Sequence, residues 1–290
     1  MTVSWYLQPA PIVFKVSGKD ARRYLNNRLS QDLRSVAAGA SVVAGALTPQ
    51  GRVEGLFTVY VEADDTFYLA CDGGERQPLF AALGRYIVAD RVSIVDCSSE
   101  SLVGHIAGEV DLSDLSTVSL SSPRNRLGVN GEDFLIVSTE ISSHQEALEK
   151  KLGPQLSQTA YDEARFKNRF VQYPTEVNDA LILTEAGLHE AVSFQKGCYV
   201  GQEVIERSDA IGKLPRRVER ITFEGVTALA PQASIFGNEE KHLGKVLSVI
   251  PGAHSKTTHV FALLKTGSYA VGDRVRCEGS VGTILSFEGE

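Results

Sequence analysis

Long apolar runs are missing from this 290-residue chain, and none approaches the roughly 18 residues that a membrane-spanning helix needs. Its start lacks the cationic opening and apolar stretch of a secretory signal, so cytoplasmic residence without a membrane partner is expected. Cysteine is scarce. Cys71, Cys97, Cys198 and Cys277 stand apart with no C-x-x-C pair, which argues against a zinc module, a disulfide framework and a cluster stably held by this chain alone. The six histidines show no metal-ligand spacing, and no metal site is expected. Neither a G-x-x-x-x-G-K-S/T loop nor a G-x-G-x-x-G after a strand is present, which disfavours nucleotide-dependent catalysis. Positive charge is in deficit: 29 Lys and Arg against 36 Asp and Glu give a net charge of -7. Extensive nucleic-acid binding, which depends on neutralising many phosphates, is therefore not expected.

What is present suffices for a substantial core. Hydrophobic residues make up 43% of the chain, and its length suggests about two domains. Ile12 to Val16 reads as a strand, and Ser17 with Asp20 forms a capping-box pattern before a helix whose Ala21, Tyr24, Leu25 and Leu29 share one face. Ser41 to Leu47, Val53 to Glu62 and Phe67 to Cys71 read as an antiparallel meander. A helix is expected over Leu79 to Ile87, and short strands over Val92 to Asp96, Leu102 to Ile106 and Asp133 to Ser138. Ser143 and Glu146 suggest a second capping box, with Gly153-Pro154 as the stop. Tyr161 to Lys167 reads as a short helix. Beyond Leu214-Pro215 only strands and turns remain, from Val218 to Phe287, which predicts a small barrel or sandwich. Two basic clusters, Arg22, Arg23 and Arg28, then Lys213, Arg216, Arg217 and Arg220, are either solvated faces or anion-binding rims.

The densest chemistry lies in Lys196-Gly197-Cys198-Tyr199-Val200-Gly201-Gln202-Glu203, with a nucleophile, a cation, an acid and two glycines before an expected helix. Aligned N-H dipoles at a helix start and a neighbouring lysine favour a thiolate, so Cys198 is a candidate reactive centre with Lys196 in support. The alternative is a small buried hydrophobe in a tight turn. The run from Lys196 to Arg207, K-G-C-Y-x-G-Q-E-x-x-x-R, resembles the signature of the YgfZ-type folate-binding proteins that support iron–sulfur clusters. Those belong to the aminomethyltransferase superfamily, with the glycine-cleavage T-protein. Weaker similarity runs through Val16 to Ala21, Leu29 to Asp32, Ala46 to Val53 and Leu83 to Tyr86.

That resemblance implies an α+β fold: a T-protein-like folate-binding core of antiparallel sheets and flanking helices over 1–213, with two interleaved subdomains as an option, and a C-terminal β-barrel over 214–290. It implies tetrahydrofolate or a derivative in a central cleft, with Tyr161 stacking on the pterin and Arg165 meeting a carboxylate. Gln202, Glu203, Asp32 and Arg52 join the expected folate contacts, and Gly197, Tyr199, Gly201 and Arg207 shape the motif loop. The partners implied are iron–sulfur enzymes or assembly factors, met transiently, with an indirect effect on tRNA thiolation. Two departures weigh against the rival reading, a tetrahydrofolate-dependent aminomethyltransferase or demethylase. Glu54-Gly55 stands where the aminomethyltransferases carry an acidic pair, and Leu135-Ile136 follows where they carry a pterin-reading glutamate. A third reading is a noncatalytic folate sensor or scaffold.

Overall fold

The computed structural model describes residues 3–108, 110, 120–225, 228–252 and 257–285. In chain order the first half runs β1 (Ser4–Leu7), β2 (Ile12–Ser17), α1 (Ala21–Arg28), β3 (Ser41–Leu47), β4 (Val53–Ala63), β5 (Thr66–Cys71), α2 (Arg76–Gly84), β6 (Ser93–Asp96), β7 (Ser101–Ala107), β8 (Leu120–Arg124) and β9 (Gly131–Val137). There follow α3 (Ile141–Leu152), α4 (Gln158–Lys167), two single 3-10 turns at Leu183–Ala186 and His189–Ala191, and α5 (Gln202–Ile211). The last strands are β10 (Arg216–Glu224), β11 (Ser234–Phe236), β12 (His242–Pro251), β13 (Thr257–Lys265), β14 (Arg274–Cys277) and β15 (Ser280–Ile284).

They form three antiparallel sheets: five strands in the order β3-β4-β5-β2-β6, four in the order β1-β7-β9-β8, and a closed six-stranded barrel β10-β13-β12-β11-β14-β15. Closure removes the exposed edges that would otherwise pair with other chains. Alternation along β10 and β13 puts Ile221, Phe223, Val260, Ala262 and Leu264 inside the barrel. The α1 stripe of Ala21, Tyr24 and Leu25, continued by Leu29, is buried against Phe14, Phe57 and Phe67 of the five-stranded sheet. A third cluster joins three parts of the chain: Leu47 and Val53 of that sheet, Tyr199 and Ile205 of the motif segment, and Val218, Phe261 and Leu263 of the barrel. Each such side chain taken from water contributes roughly 1.5–3 kcal/mol, so the motif segment is fastened at a three-way junction.

The fold is the α+β arrangement expected, with differences in detail. Neither expected capping box forms. Asp20 precedes α1 without a side-chain cap, because its carboxylate accepts from the Arg91 backbone N–H at 2.9 Å. Helix α3 starts at Ile141, ahead of Ser143, whose hydroxyl instead donates to the Glu140 carbonyl. A real cap appears at α4, where Ser157 Oγ accepts from Ala160 N. Strands β1, β8 and β11 were not expected. They span four, five and three residues, too short for alternation to stand out. The end of the expected last strand, at 286–287, lies outside the described residues.

Candidate functional site

The motif loop is held at three points, and each hold has a residue-specific cause. Lys196 is buried, and its ammonium donates to the carbonyls of Asn26 at 2.5 Å, Leu29 at 2.8 Å and Gln31 at 2.7 Å. Those acceptors sit at the carboxyl end of α1, where unpaired carbonyls and the helix dipole both favour a cation. Val200 N–H donates to the Asn27 carbonyl, adding a second tie to α1. Gly201 provides the third. Its φ is +84°, and a Cβ there would lie 2.6 Å from the Thr48 carbonyl oxygen and 3.1 Å from Gly51 Cα, so only glycine fits against the Thr48–Arg52 turn.

Between these ties Tyr199 points inward and Cys198 outward. Tyr199 packs in the junction cluster, with Lys196 Nζ 5.0 Å from its ring centroid. Cys198 is the only exposed thiol of the four; Cys71, Cys97 and Cys277 are buried. Burial pushes the Cys71 thiol up to about 12 and the Cys277 thiol up to about 11. Gln202 back-bonds through Oε1 to Tyr199 N–H and donates to Glu206, so it stiffens the loop. Glu203 is exposed in the first turn of α5, a favourable place for a carboxylate, and Gly197 is exposed with open space around its Cα.

All three protons of Lys196 are engaged by carbonyls, so its side chain anchors the loop to the end of α1. Burial holds its ammonium down to about 8, with Asp32 opposing that shift. Between pH 8 and the ordinary value of 10.5 the unfolded chain binds more protons at this position than the folded one, so stability from this group rises with pH. Wild type should therefore gain on Lys196→Met as denaturation is followed from pH 8 to pH 10. A gap that narrows over that range would contradict the assignment.

The expected folate contacts do not meet in one place. Tyr161 is fully buried, its ring stacked on Tyr6 with centroids 3.9 Å apart, and its hydroxyl takes hydrogen bonds from Gln8 and Arg126. Arg165 is buried against Glu176 at 2.9 Å and Asp162 at 2.6 Å. Glu176 in turn accepts from Ser248 of β12, which makes Arg165 part of the tie between α4 and the barrel. Asp32 pairs with Arg34 at 2.6 Å, which with the nearby Lys196 holds its carboxyl down at about 2. Arg52 lies at another face, donating to the Ala180 carbonyl, and Arg207 is exposed on α5.

Sequence reasoning missed the centre of the molecule. Arg126 forks between Asp133, at 2.6 and 2.7 Å, and Asp72, at 2.8 and 3.0 Å, while His105 Nδ1 lies 2.9 Å from Asp133. Burial alone would push Asp133 up, but Arg126, His105 and Arg124 hold it well below the carboxylate range. The Phe170 ring caps the Arg126 guanidinium at 4.6 Å. What remains open between Thr58, Asp72, Arg124, Phe170 and Tyr173 is a cavity of about 10 Å³. Small-ligand pockets hold roughly 300–1,000 Å³, and about one water fits in 10 Å³. The signal in the sequence was the Arg126 to Asp133 spacing, which becomes meaningful only once β8 and β9 are known to pair.

Comparison with solved structures supports the same fold. No family model matches the chain. It is 27% identical over 242 residues to the iron-sulfur cluster assembly factor IBA57 homolog, mitochondrial, of Chaetomium globosum, covering 71% of this chain and 53% of that protein. It is 25% identical over 260 residues to the tRNA-modifying protein YgfZ of Serratia proteamaculans, covering 80% and 76%. The fold matches the glycine cleavage system aminomethyltransferase T from Bartonella henselae with a TM-score of 0.79 at 15% identity, over 99% of this chain and 86% of that one. At these identities the chain is similar to YgfZ-type proteins, and its fold is that of the glycine cleavage T-protein. It spans 65% and 53% of the length of the first two curated relatives it matches. Among the described residues no helix is long and apolar enough to cross a membrane, and no group of His, Cys, Asp or Glu is placed to hold a metal ion.

Proposed function

We propose that this protein supports iron–sulfur enzymes or their assembly factors in the cytoplasm, presenting the Cys198 thiol to a client, with any effect on tRNA thiolation arising through such clients. The observation that carries the reading is the exposure of Cys198 alone among four thiols, on a loop fixed by Lys196, Val200 and Gly201. A structural cysteine has no need of such a mount. Lys196 and Gln202 then act as positioning residues, and the cluster is the client's. The same proposal treats 1–213 as the core unit and 214–290 as the barrel unit. Reduced folate stays in the reading as the family's expected ligand, but no step is assigned to it, because Tyr161 and Arg165 are committed internally. The test is complementation: cells lacking their own YgfZ-type protein should regain iron–sulfur enzyme activity with wild type and not with Cys198→Ala. Full restoration by a folded Cys198→Ala would end the proposal.

The rival aminomethyltransferase reading meets a specific obstacle. Glu54, the carboxylate left at the position of the acidic pair, is clamped by Arg28 at 2.7 Å and Arg85 at 2.6 Å. Both of its oxygens are thus engaged, one by each guanidinium group, so the carboxylate is not free to meet a substrate. Methylenetetrahydrofolate formation from an aminomethyl-lipoyl donor should therefore be absent or several orders of magnitude below an enzyme's rate. Robust turnover in a coupled assay would reinstate that reading.

A further inference from the structure

An open groove of about 870 Å³ runs along α1 to the motif loop. Lys19, Arg22, Arg23, Asn26 and Asn27 line it at positions i, i+3, i+4, i+7 and i+8, the spacing of a single helix face. At a rise of about 1.5 Å per residue this stripe is roughly 12 Å long. The same groove is lined by Gly197, the chain neighbour of Cys198. Another wall is the segment 34–37, braced by Arg22, which donates to the carbonyls of Leu33 at 2.6 Å and Val36 at 2.8 Å. Charge in the groove runs against that of the chain. Four cations line it, Lys19, Arg22, Arg23 and Arg34, against one carboxylate, Asp64, in a protein whose net charge is -7. Lys19 is exposed and has no ion-pair partner among the described residues. Arg22 pairs with Asp64 at 3.3 Å, Arg23 with Asp20 and Asp90, and Arg34 with Asp32, but the last three carboxylates lie outside the lining. The Arg23 and Arg34 side chains stay 63% and 59% exposed. Exposed pairs of this kind are weak, so an incoming carboxylate can share them.

We propose that this groove docks an acidic, extended segment of the client protein and leads it toward Cys198. The proposal rests on the thiol-presenting reading and names the chemistry of the partner. Shape suits a peptide, because the helix stripe is as long as three to four residues of extended chain at roughly 3.3 Å each. Charge suits carboxylate side chains, which a locally positive track on an acidic protein would steer to the loop. A single-stranded nucleic acid fits less well. No aromatic side chain is among the lining residues to stack on a base, and Asp64 in the lining, with Asp20, Asp32 and Asp90 beside its cations, interrupts any continuous run of phosphate contacts. Loose, salt-sensitive docking is what a transient client requires.

Fluorescence anisotropy follows a labelled Asp-Ser repeat peptide titrated at low salt with the full chain carrying Cys198→Ala, with the isosteric Asn-Ser repeat and an oligouridylate as controls. Removing the thiol keeps docking separate from reactivity. Saturable binding of the Asp-Ser peptide is expected, lost at high salt. Adding Lys19→Gln/Arg34→Gln, at two exposed positions and with the melting temperature checked, should weaken it at least about fivefold. A second measurement uses the native thiol and the same peptides, each ending in a cysteine activated as a pyridyl disulfide: the Cys198 thiolate attacks the peptide sulfur, a new disulfide forms and pyridine-2-thiolate leaves. Rates taken relative to iodoacetamide labelling of the same protein should favour the Asp-Ser peptide about tenfold over Asn-Ser, and Lys19→Gln/Arg34→Gln should erase most of that preference. Asp-Ser binding no tighter than Asn-Ser, an unaffected double variant, or tighter binding of the oligouridylate would each overturn the docking assignment. Intact docking with a Cys198 that resists iodoacetamide would count against the thiol reading alone.

Discussion

Treated with iodoacetamide near pH 8, the folded protein should be alkylated at Cys198 at least about a hundred times faster than at Cys71 or Cys277. The thiolate is the nucleophile, and both its fraction and its access enter the rate. Cys71 is fully buried with its thiol pushed up to about 12, and Cys277 is buried with its thiol pushed up to about 11. Three or four pH units below such values the thiolate fraction is roughly one in a thousand to one in ten thousand, before steric exclusion is counted. Cys198 meets solvent directly. Peptide mapping of partially labelled protein reads the ratio, and comparable labelling of all four cysteines would show that the loop is not placed as described. Cys198→Ala, at an exposed site with little packing to lose, should change stability by less than about 1 kcal/mol and abolish the label.

Lys196 refines the same experiment. If its ammonium only anchors the loop, Lys196→Ala should leave the pH profile of Cys198 alkylation in place. It should nevertheless lower stability by about 1–3 kcal/mol, because buried carbonyls at the end of α1 lose their donor. A displaced pH profile would return Lys196 to the electrostatic role that its position two residues from the thiol suggested.

That contrast shows what the sequence disclosed and what it withheld. The α1 stripe, the β3–β5 meander and the late run of strands were legible because each has its own periodicity over enough residues. The motif was legible as a dense cluster of unusual residues, and the exposed thiol lies within it. Directions were not legible. Lys196 adjoins Cys198 in sequence, yet its side chain crosses to α1, since three carbonyls separated from it by 165 or more positions are better partners. Tyr161 and Arg165 read as ligand contacts from residue type, and their neighbours Tyr6 and Glu176, from an element distant in sequence and from a loop, could not be read the same way. Pairing of polar groups across a core depends on register and topology, and neither is written in local residue types.

The largest stability effect should come from Asp133. Its carboxylate is completely buried and holds Arg126 through two hydrogen bonds and His105 through a third contact. Asp133→Ala removes the acceptor while the guanidinium stays in the core, with only Asp72 to oppose its charge. Breaking a buried pair in this way costs about 3–5 kcal/mol, which for a chain of this size lowers the melting temperature by roughly 6–20 °C. Arg126→Met with Asp133→Leu removes both charges and substitutes apolar volume, so it should recover much of that loss, although Asp72 and His105 then lose a partner. Scanning calorimetry on the two variants separates the explanations. A double variant as unstable as Asp133→Ala would mean that the geometry of the network matters more than the uncompensated charge. A wild-type-like Asp133→Ala would mean that the centre is hydrated and open, and the small cavity between Thr58, Phe170 and Tyr173 would then have to be larger than it is here.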